Sequence, residues 1–405
     1  MISVDEARTR ILTTFNALPP EDVSLDKALG RVLAQDVVAR RTQPPLAVSS
    51  MDGYAVRSSD LDKIPKILKE VGKVAAGDSF EGVVGRNQTV RIFTGAPLPK
   101  GADTIIIQEN TDATDEQITV RAGAPPGQHI RETGLDFTEG DMGLNSGKLL
   151  SARDISLAAA MNFPWLSVHR RPRIAILATG DEIVRPGEPI KTNQIVSSNA
   201  LALQAFVEVS GGIAINLGIS PDQNDILRQM ANGARGSDLL VTTGGISVGE
   251  HDLVRQALNT NGLEIDFWRV AMRPGKPVMF GKLDAVPILG LPGNPVSSIV
   301  CALVFLLPVM RRLLGLTDHH NANVHRAFLT SPLPANDKRE DYLRATIEHR
   351  EDGTVWTRPF KRQDSSMLTL LAKAQCLIIR APHAPKADQG ETVQVMRFPS
   401  GLANA

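Results

Sequence analysis

Hydrophobic positions recur along the chain at different spacings, and each change of spacing marks a unit. Near the start, Ala7, Ile11, Leu12 and Phe15 fall at helical spacing behind Ser3 and Glu6, a capping-box pair, and Pro19-Pro20 ends the segment. Leu25, Ala28, Leu29, Val32 and Leu33 behind Ser24 predict a second short helix. From Thr42 to Asp136 short Val/Ile runs alternate with Gly, Pro and Asp, as in Thr89-Val90-Arg91-Ile92 and Asp103-Thr104-Ile105-Ile106-Ile107. That texture predicts a small β-rich unit. Residues 151–161 return to helical spacing with Ser151 as the cap. If that helix packs on the first ones, residues 42–136 are an insertion in a helical domain made of 1–41 and 137–171.

From Arg173 the pattern becomes strand, glycine-rich turn, helix, repeated. Ile174-Ala175-Ile176-Leu177 leads into Thr179-Gly180-Asp181-Glu182, Asp238-Leu239-Leu240-Val241 into Thr242-Thr243-Gly244-Gly245, and residues 286–289 into Gly290-Leu291-Pro292-Gly293-Asn294-Pro295. Ser197-Ser198-Asn199 opens an apolar helix ending at Gly211-Gly212, and Asn294-Pro295 suits a cap and first helical position. The alternation predicts a mostly parallel sheet with helices on both faces over 172–317. After Gly315 the texture is β again: Asp352-Gly353 is a turn signal between residues 342–347 and 355–357, so 318–405 form a small β domain.

The 405 residues suit several domains. Forty-four basic residues balance 44 acidic ones, and aromatics are 4%. Neither suits a polyanion binder or a base-stacking platform, so no nucleic-acid partner is expected. Cys301 and Cys376 sit in no metal-ligand or disulfide pattern, and Cys301 lies within an apolar run as a core residue would. The opening MISVDEARTR has no apolar stretch. The apolar run 299–310 has 12 residues and reads as too short to span a bilayer, so a cytoplasmic, reduced protein is expected.

Ligands of open α/β sheets bind beyond the carboxyl ends of the strands. There the segment from Thr242 to Gly249 offers approachable backbone and hydroxyls, a cradle for a tetrahedral anion or simply a tight turn. No Walker-type loop is present. Glu182, Asp222 and Asp252 suit Mg²⁺ held by few protein oxygens plus ligand phosphates, or are solvated loop acids. Arg273-Pro274-Gly275-Lys276-Pro277 is either a phosphate-neutralising turn or a charged β-turn, and His251 is a general base or merely exposed.

Taken in order, PPLAVSSMDGYAV, FTGAPLPKGADTIIIQEN, TGDEI, TTGGISVGEHD, RPGKPVMFG and GLPGNPVSS resemble the MoeA/gephyrin E-domain family, which inserts molybdenum into molybdopterin. The resemblance covers nearly the whole chain. It implies a helical N-terminal domain with an inserted β-rich domain, a MogA/MoaB-like three-layer α/β/α molybdopterin-binding domain and a C-terminal β-barrel-like domain. It also implies a homodimer with its active site between the α/β domain of one subunit and the inserted domain of the other. The implied reaction takes adenylylated molybdopterin, molybdate and a divalent cation, Mg²⁺, to molybdenum cofactor and AMP. By motif, Asp52, Thr94, Glu182, Asp252 and Lys276 match catalytic positions, with Glu182, Asp222 and Asp252 as metal ligands. Asp136, Asp222, Gly244, Gly245, Ser247, Arg344, Ser365 and Ser366 match substrate-binding positions. Arg273 departs from a lysine in the family turn; it is expected to offset phosphate and molybdate charge with Lys276, in a different geometry. Implied partners are the upstream adenylyltransferase and the molybdoenzymes that receive the cofactor. Competing readings are the adenylyltransferase step itself, a scaffold, or a paralogue that favours tungstate.

Overall fold

The computed structural model describes residues 1–245, 263–317 and 324–399. Its central sheet runs, in spatial order, Ile213–Ser220, Arg173–Thr179, Leu239–Thr243, Val286–Leu291, Pro277–Leu283 and Leu263–Arg269. The first four are parallel, and Pro277–Leu283 runs against them, pairing antiparallel with both its neighbours. The parallel strands are buried on both faces, which explains their unbroken apolar runs. Ile174, Ile176, Leu239 and Val241 pack into the core on one face, while Ala175, Leu177 and Leu240 pack under the helix Asn224–Ala231 on the other. The Arg173–Thr179 strand has its chain successor on one side and Leu239–Thr243 on the other. That reversal opens a crevice beyond the carboxyl ends of these two strands.

The apolar run 299–310 belongs to a longer helix than its composition suggests. Pro295–Leu313 is one 19-residue apolar helix, long enough by itself to cross a membrane, which corrects the length argument made from the sequence. In its most apolar window 78% is buried inside the protein, where it packs on the sheet with the helices Asn199–Val209 and Val4–Thr13. Pro308 removes one helical N–H, and the turn before it widens to a π segment at Ala302–Leu306.

The first helix, Val4–Thr13, begins at Ser3, whose hydroxyl accepts the Glu6 N–H. It packs on the α/β core rather than with the flanking unit: Ala7, Ile11 and Phe15 join that core, and the Leu18 N–H reaches the Leu313 carbonyl at 2.8 Å. The expected second helix is absent among the described residues. Leu25–Lys27 is a single 3₁₀ turn, and Gly30, at φ +71°, turns the chain out of a helix. Val32 and Leu33 then bridge to Leu149 and Val168 as extended chain. With the capped helix Ala152–Ala160 these residues build a separate small core around Leu33, Leu150, Ala158 and Val168.

The β-rich insertion carries a six-stranded sheet ordered Thr104–Ile107, Gly53–Val56, Gln88–Ile92, Lys66–Val74, Gln117–Val120, Thr111–Thr114. In the C-terminal unit Glu340–His349 pairs with both Val355–Pro359 and Cys376–Arg380. Val324–Leu329 and Thr392–Arg397 close the ring into a five-stranded barrel. The turn at Gly353, φ +79°, lies where the sequence places it.

Candidate active site

A cavity of about 590 Å³ opens at the carboxyl ends of the central strands. Thr179 and Glu182 of the first turn, Thr243, Gly244 and Gly245 of the second, and Gly293 and Asn294 of the third line it. Sequence dictates the close approach of these turns. A Cβ on Gly244, at φ +91°, would lie 2.4 Å from the Thr179 carbonyl oxygen, so only glycine fits. The Glu182 carboxylate folds back over Gly180, where a Cβ would meet it at 2.4 Å. The Thr179 hydroxyl is buried at this wall without a hydrogen-bond partner.

The C-terminal barrel domain supplies part of the rim. Ser366 and Leu368 line the cavity, and the Ser365 carbonyl accepts the Val296 N–H at 3.1 Å, capping the long helix. Asn294 stands at that helix's cap, as the sequence predicts, but its amide donates to the Ser365 hydroxyl at 3.0 Å instead of capping its own helix. Ser366 in turn donates to Asp364, and the Ser366 hydroxyl and N–H lower the Asp364 carboxyl below its ordinary range.

Of the residues singled out from the sequence, Glu182, Gly244, Gly245 and Ser366 meet at this cavity, with Ser365 at its rim. Lys276 is exposed beside the lining residue Pro277. The Asp222 N–H donates to Asp181 at 3.0 Å at the end of the neighbouring edge strand. Ser247, His251 and Asp252 lie outside the described residues. Among the described residues no three His, Cys, Asp or Glu side chains converge as metal ligands.

Other predicted residues stand elsewhere in the chain. Asp52 in the inserted domain accepts the Thr94 N–H at 2.7 Å and the Thr94 hydroxyl at 2.8 Å. Those two donors, the N–H first, hold its carboxyl below the usual range. Asp136 lines a second cleft of about 500 Å³ with Arg41, Gly95 and Arg131, where the insertion meets its flanking unit. Arg344 is 1% exposed within the barrel, bonded to Gln363 and the Met367 carbonyl, and burial pulls its pKa down. The charge of Arg273 is already engaged: its guanidinium pairs with Asp341 and, at 3.6 Å, with Asp337 of the barrel domain. The guanidinium expected to offset substrate charge thus also forms an interdomain ion pair.

Sequence reasoning placed Thr179, Thr243 and Asn294 in the strand-end turns where a ligand would bind, without singling them out, and missed Asn199. Their signal was present as short polar runs at strand ends, but helix opening and capping explained those runs equally well.

Comparison with known proteins agrees with this geometry. Residues 2–162 match the MoeA N-terminal region (domain I and II), 175–312 a family described as a probable molybdopterin binding domain, and 326–398 the MoeA C-terminal region (domain IV). A molybdopterin molybdenumtransferase of Haemophilus influenzae is 32% identical over 98% of this chain and 99% of its own. Molybdopterin molybdenumtransferase 2 of Mycobacterium tuberculosis is 35% identical over 88% of this chain and 90% of its own. The crystal structure of a molybdopterin biosynthesis MoeA protein from Pyrococcus horikoshii superposes with a TM-score of 0.85 at 28% identity, covering 99% of this chain and all of that one. Fold and cavity thus define a multidomain transferase built around a molybdopterin-binding α/β domain. The chain belongs to the molybdopterin molybdenumtransferase (MoeA) family and acts in molybdenum cofactor biosynthesis by molybdenum insertion.

Proposed function

We propose that the substrate is adenylylated molybdopterin and that its reaction with molybdate yields molybdenum cofactor and AMP. The observation that carries this reading is the cavity itself: glycine turns and hydroxyls that fit an anion, beside one carboxylate, Glu182. Mg²⁺ fits such a donor set, because it binds through one or two carboxylates and completes its shell with phosphate oxygens and water. Glu182, with Asp222 and Asp252, would hold it, and it would supply Lewis-acid polarisation of the pyrophosphate bridge. The chain's own residues bind and orient. The Gly244-Gly245 turn and Ser247 receive the phosphate end, Lys276 offsets its charge, and Ser365 and Ser366 serve the molybdate end, while the buried Arg344 holds Gln363 and the Met367 carbonyl within the barrel.

Asp52, Thr94 and Asp136 line no part of the Glu182 cavity. That separation supports a homodimer in which the inserted domain of one subunit completes the α/β cavity of the other. The upstream adenylyltransferase and the recipient molybdoenzymes are its proposed protein partners. The proposed location is the cytoplasm, supported by two buried unpaired thiols.

The test is AMP release from adenylylated molybdopterin with molybdate and Mg²⁺, comparing wild type with Asp52→Ala and Glu182→Ala. Both variants are expected to lose nearly all turnover. Unchanged release in both would overturn the site, and an inactive wild type would favour the scaffold or tungstate reading.

A further inference from the structure

Asn199 is the first residue of the helix Asn199–Val209, yet its side chain takes no part in capping that helix. Its amide nitrogen instead reaches two other chain segments at once. It donates to the Thr243 hydroxyl at 2.9 Å and to the Gly293 carbonyl at 2.7 Å. The orientation of the amide is fixed by its partners. A carbonyl only accepts, so nitrogen must face Gly293. The Thr243 hydroxyl gives its own proton to the Pro292 carbonyl at 3.3 Å and so accepts from Asn199. Both amide protons are therefore used, and two cavity turns are tied to the start of this helix.

This tie lies where the glycine turns come closest. A Cβ on Gly293 would stand 3.5 Å from the Gly244 Cα, and the Gly244 N–H reaches back to the Leu291 carbonyl at 3.3 Å. No side chain of either glycine can hold that spacing. The Asn199 amide and the Thr243 hydroxyl are the side-chain donors that do.

We propose that Asn199 is a positioning residue of the cavity, which sets the spacing of the Gly244-Gly245 and Gly293-Asn294 turns for the phosphate end of the pterin substrate. The proposal rests on the reading that this cavity takes that substrate. The phosphate end carries the pyrophosphate bridge that breaks when AMP leaves, so the grip on it bears on the transition state as well as the ground state. Loosening it lowers kcat/KM. An aspartate at 199 would add a second defect, a carboxylate against a carbonyl oxygen beside an anion site.

The experiment measures steady-state AMP release and thermal unfolding of the full chain for Asn199→Ala, Asn199→Asp, Thr243→Ser and Thr243→Val. Asn199→Ala is expected to lower kcat/KM for adenylylated molybdopterin about tenfold, and Asn199→Asp to lower it further. Thr243→Ser keeps the acceptor hydroxyl and should lower kcat/KM far less than Thr243→Val, which loses it. The double variant Asn199→Ala/Thr243→Val should lose less than the sum of the two single losses, because the two share the Asn199–Thr243 bond. Lowered unfolding temperature with unchanged kcat/KM in both Asn199→Ala and Thr243→Val would mean a purely structural bond and overturn the proposal. Additive losses in the double variant would also overturn it. Glu182→Ala, assayed in parallel, separates the two ideas. If it is inactive while Asn199→Ala keeps its kcat/KM, the positioning role falls alone. If Glu182→Ala keeps wild-type turnover, the cavity reading falls and the positioning role with it.

Discussion

At the scale of single residues, contact distances decide which positions tolerate change. Gly244 combines a left-handed backbone with a neighbour inside van der Waals range, so Gly244→Ala should cost about 1–3 kcal/mol and reduce turnover. Urea unfolding together with AMP release checks this, and a stable, fully active variant would contradict it. Asp52 offers a pH signature. Thr94 donates twice to its carboxylate and lowers its pKa, so the charged form persists to lower pH than in an ordinary aspartate. Thr94→Val removes one donor. The acid limb of the pH–activity profile should then move to higher pH, while an unmoved limb would show that Asp52 ionisation does not govern turnover.

Among elements, the helix Ala152–Ala160 shows how capping and charge combine. The Ser151 N–H and hydroxyl both donate to Asp154, at 2.8 and 2.7 Å, and Lys148 pairs with the same carboxylate at 2.9 Å. Burial alone would raise the Asp154 pKa, but these partners outweigh it and bring it down to about 2. A folded-state pKa below the unfolded one stabilises the protein above the unfolded value, near 3.8, and that stability fades as pH falls toward about 2. Asp154→Ala should therefore cost about 1 kcal/mol at neutral pH, and the difference from wild type should shrink between pH 4 and pH 2 in urea titrations. Elements with strong local signals were legible from sequence: the capped helices, the Asp352-Gly353 hairpin, and the parallel strands with continuous apolar runs. The segment 25–33 misled because its apolar spacing fits a helix, while Gly30 and the waiting strand partners favour extended chain. The edge strand Ile213–Ser220 and the antiparallel Leu263–Arg269 carry mixed polar and apolar positions, and only their neighbours in the sheet define them.

For the whole molecule, the proposed dimer predicts complementation. Asp52→Ala and Glu182→Ala damage opposite halves of a shared site, so a mixed dimer keeps one intact site of its two. Unfolding and refolding the two inactive variants together at equal amounts should restore about a quarter of wild-type activity, since half the dimers are mixed. No recovery despite mixed dimers would place both residues in one subunit's site. The interior makes a second prediction. Burial pushes the Cys376 thiol up to about 11 and Cys301 higher still, so neither should react with a thiol reagent until the protein unfolds.

Sequence by itself determined the local chemistry of this protein: which segments are strands and turns, which turns carry glycine and carboxylate, and, through the order of its motifs, the family. Those features depend on neighbours a few residues away, and a linear pattern records them. Tertiary structure decided the rest. It gave the first helix to the α/β core, committed Arg273 to Asp341, and turned the Asn294 amide toward Ser365. It also tied Asn199 to partners 44 and 94 positions away. Each outcome is a choice among partners that the sequence permits equally. Packing makes that choice, because a buried donor or charge must find a partner among the groups the fold brings within reach.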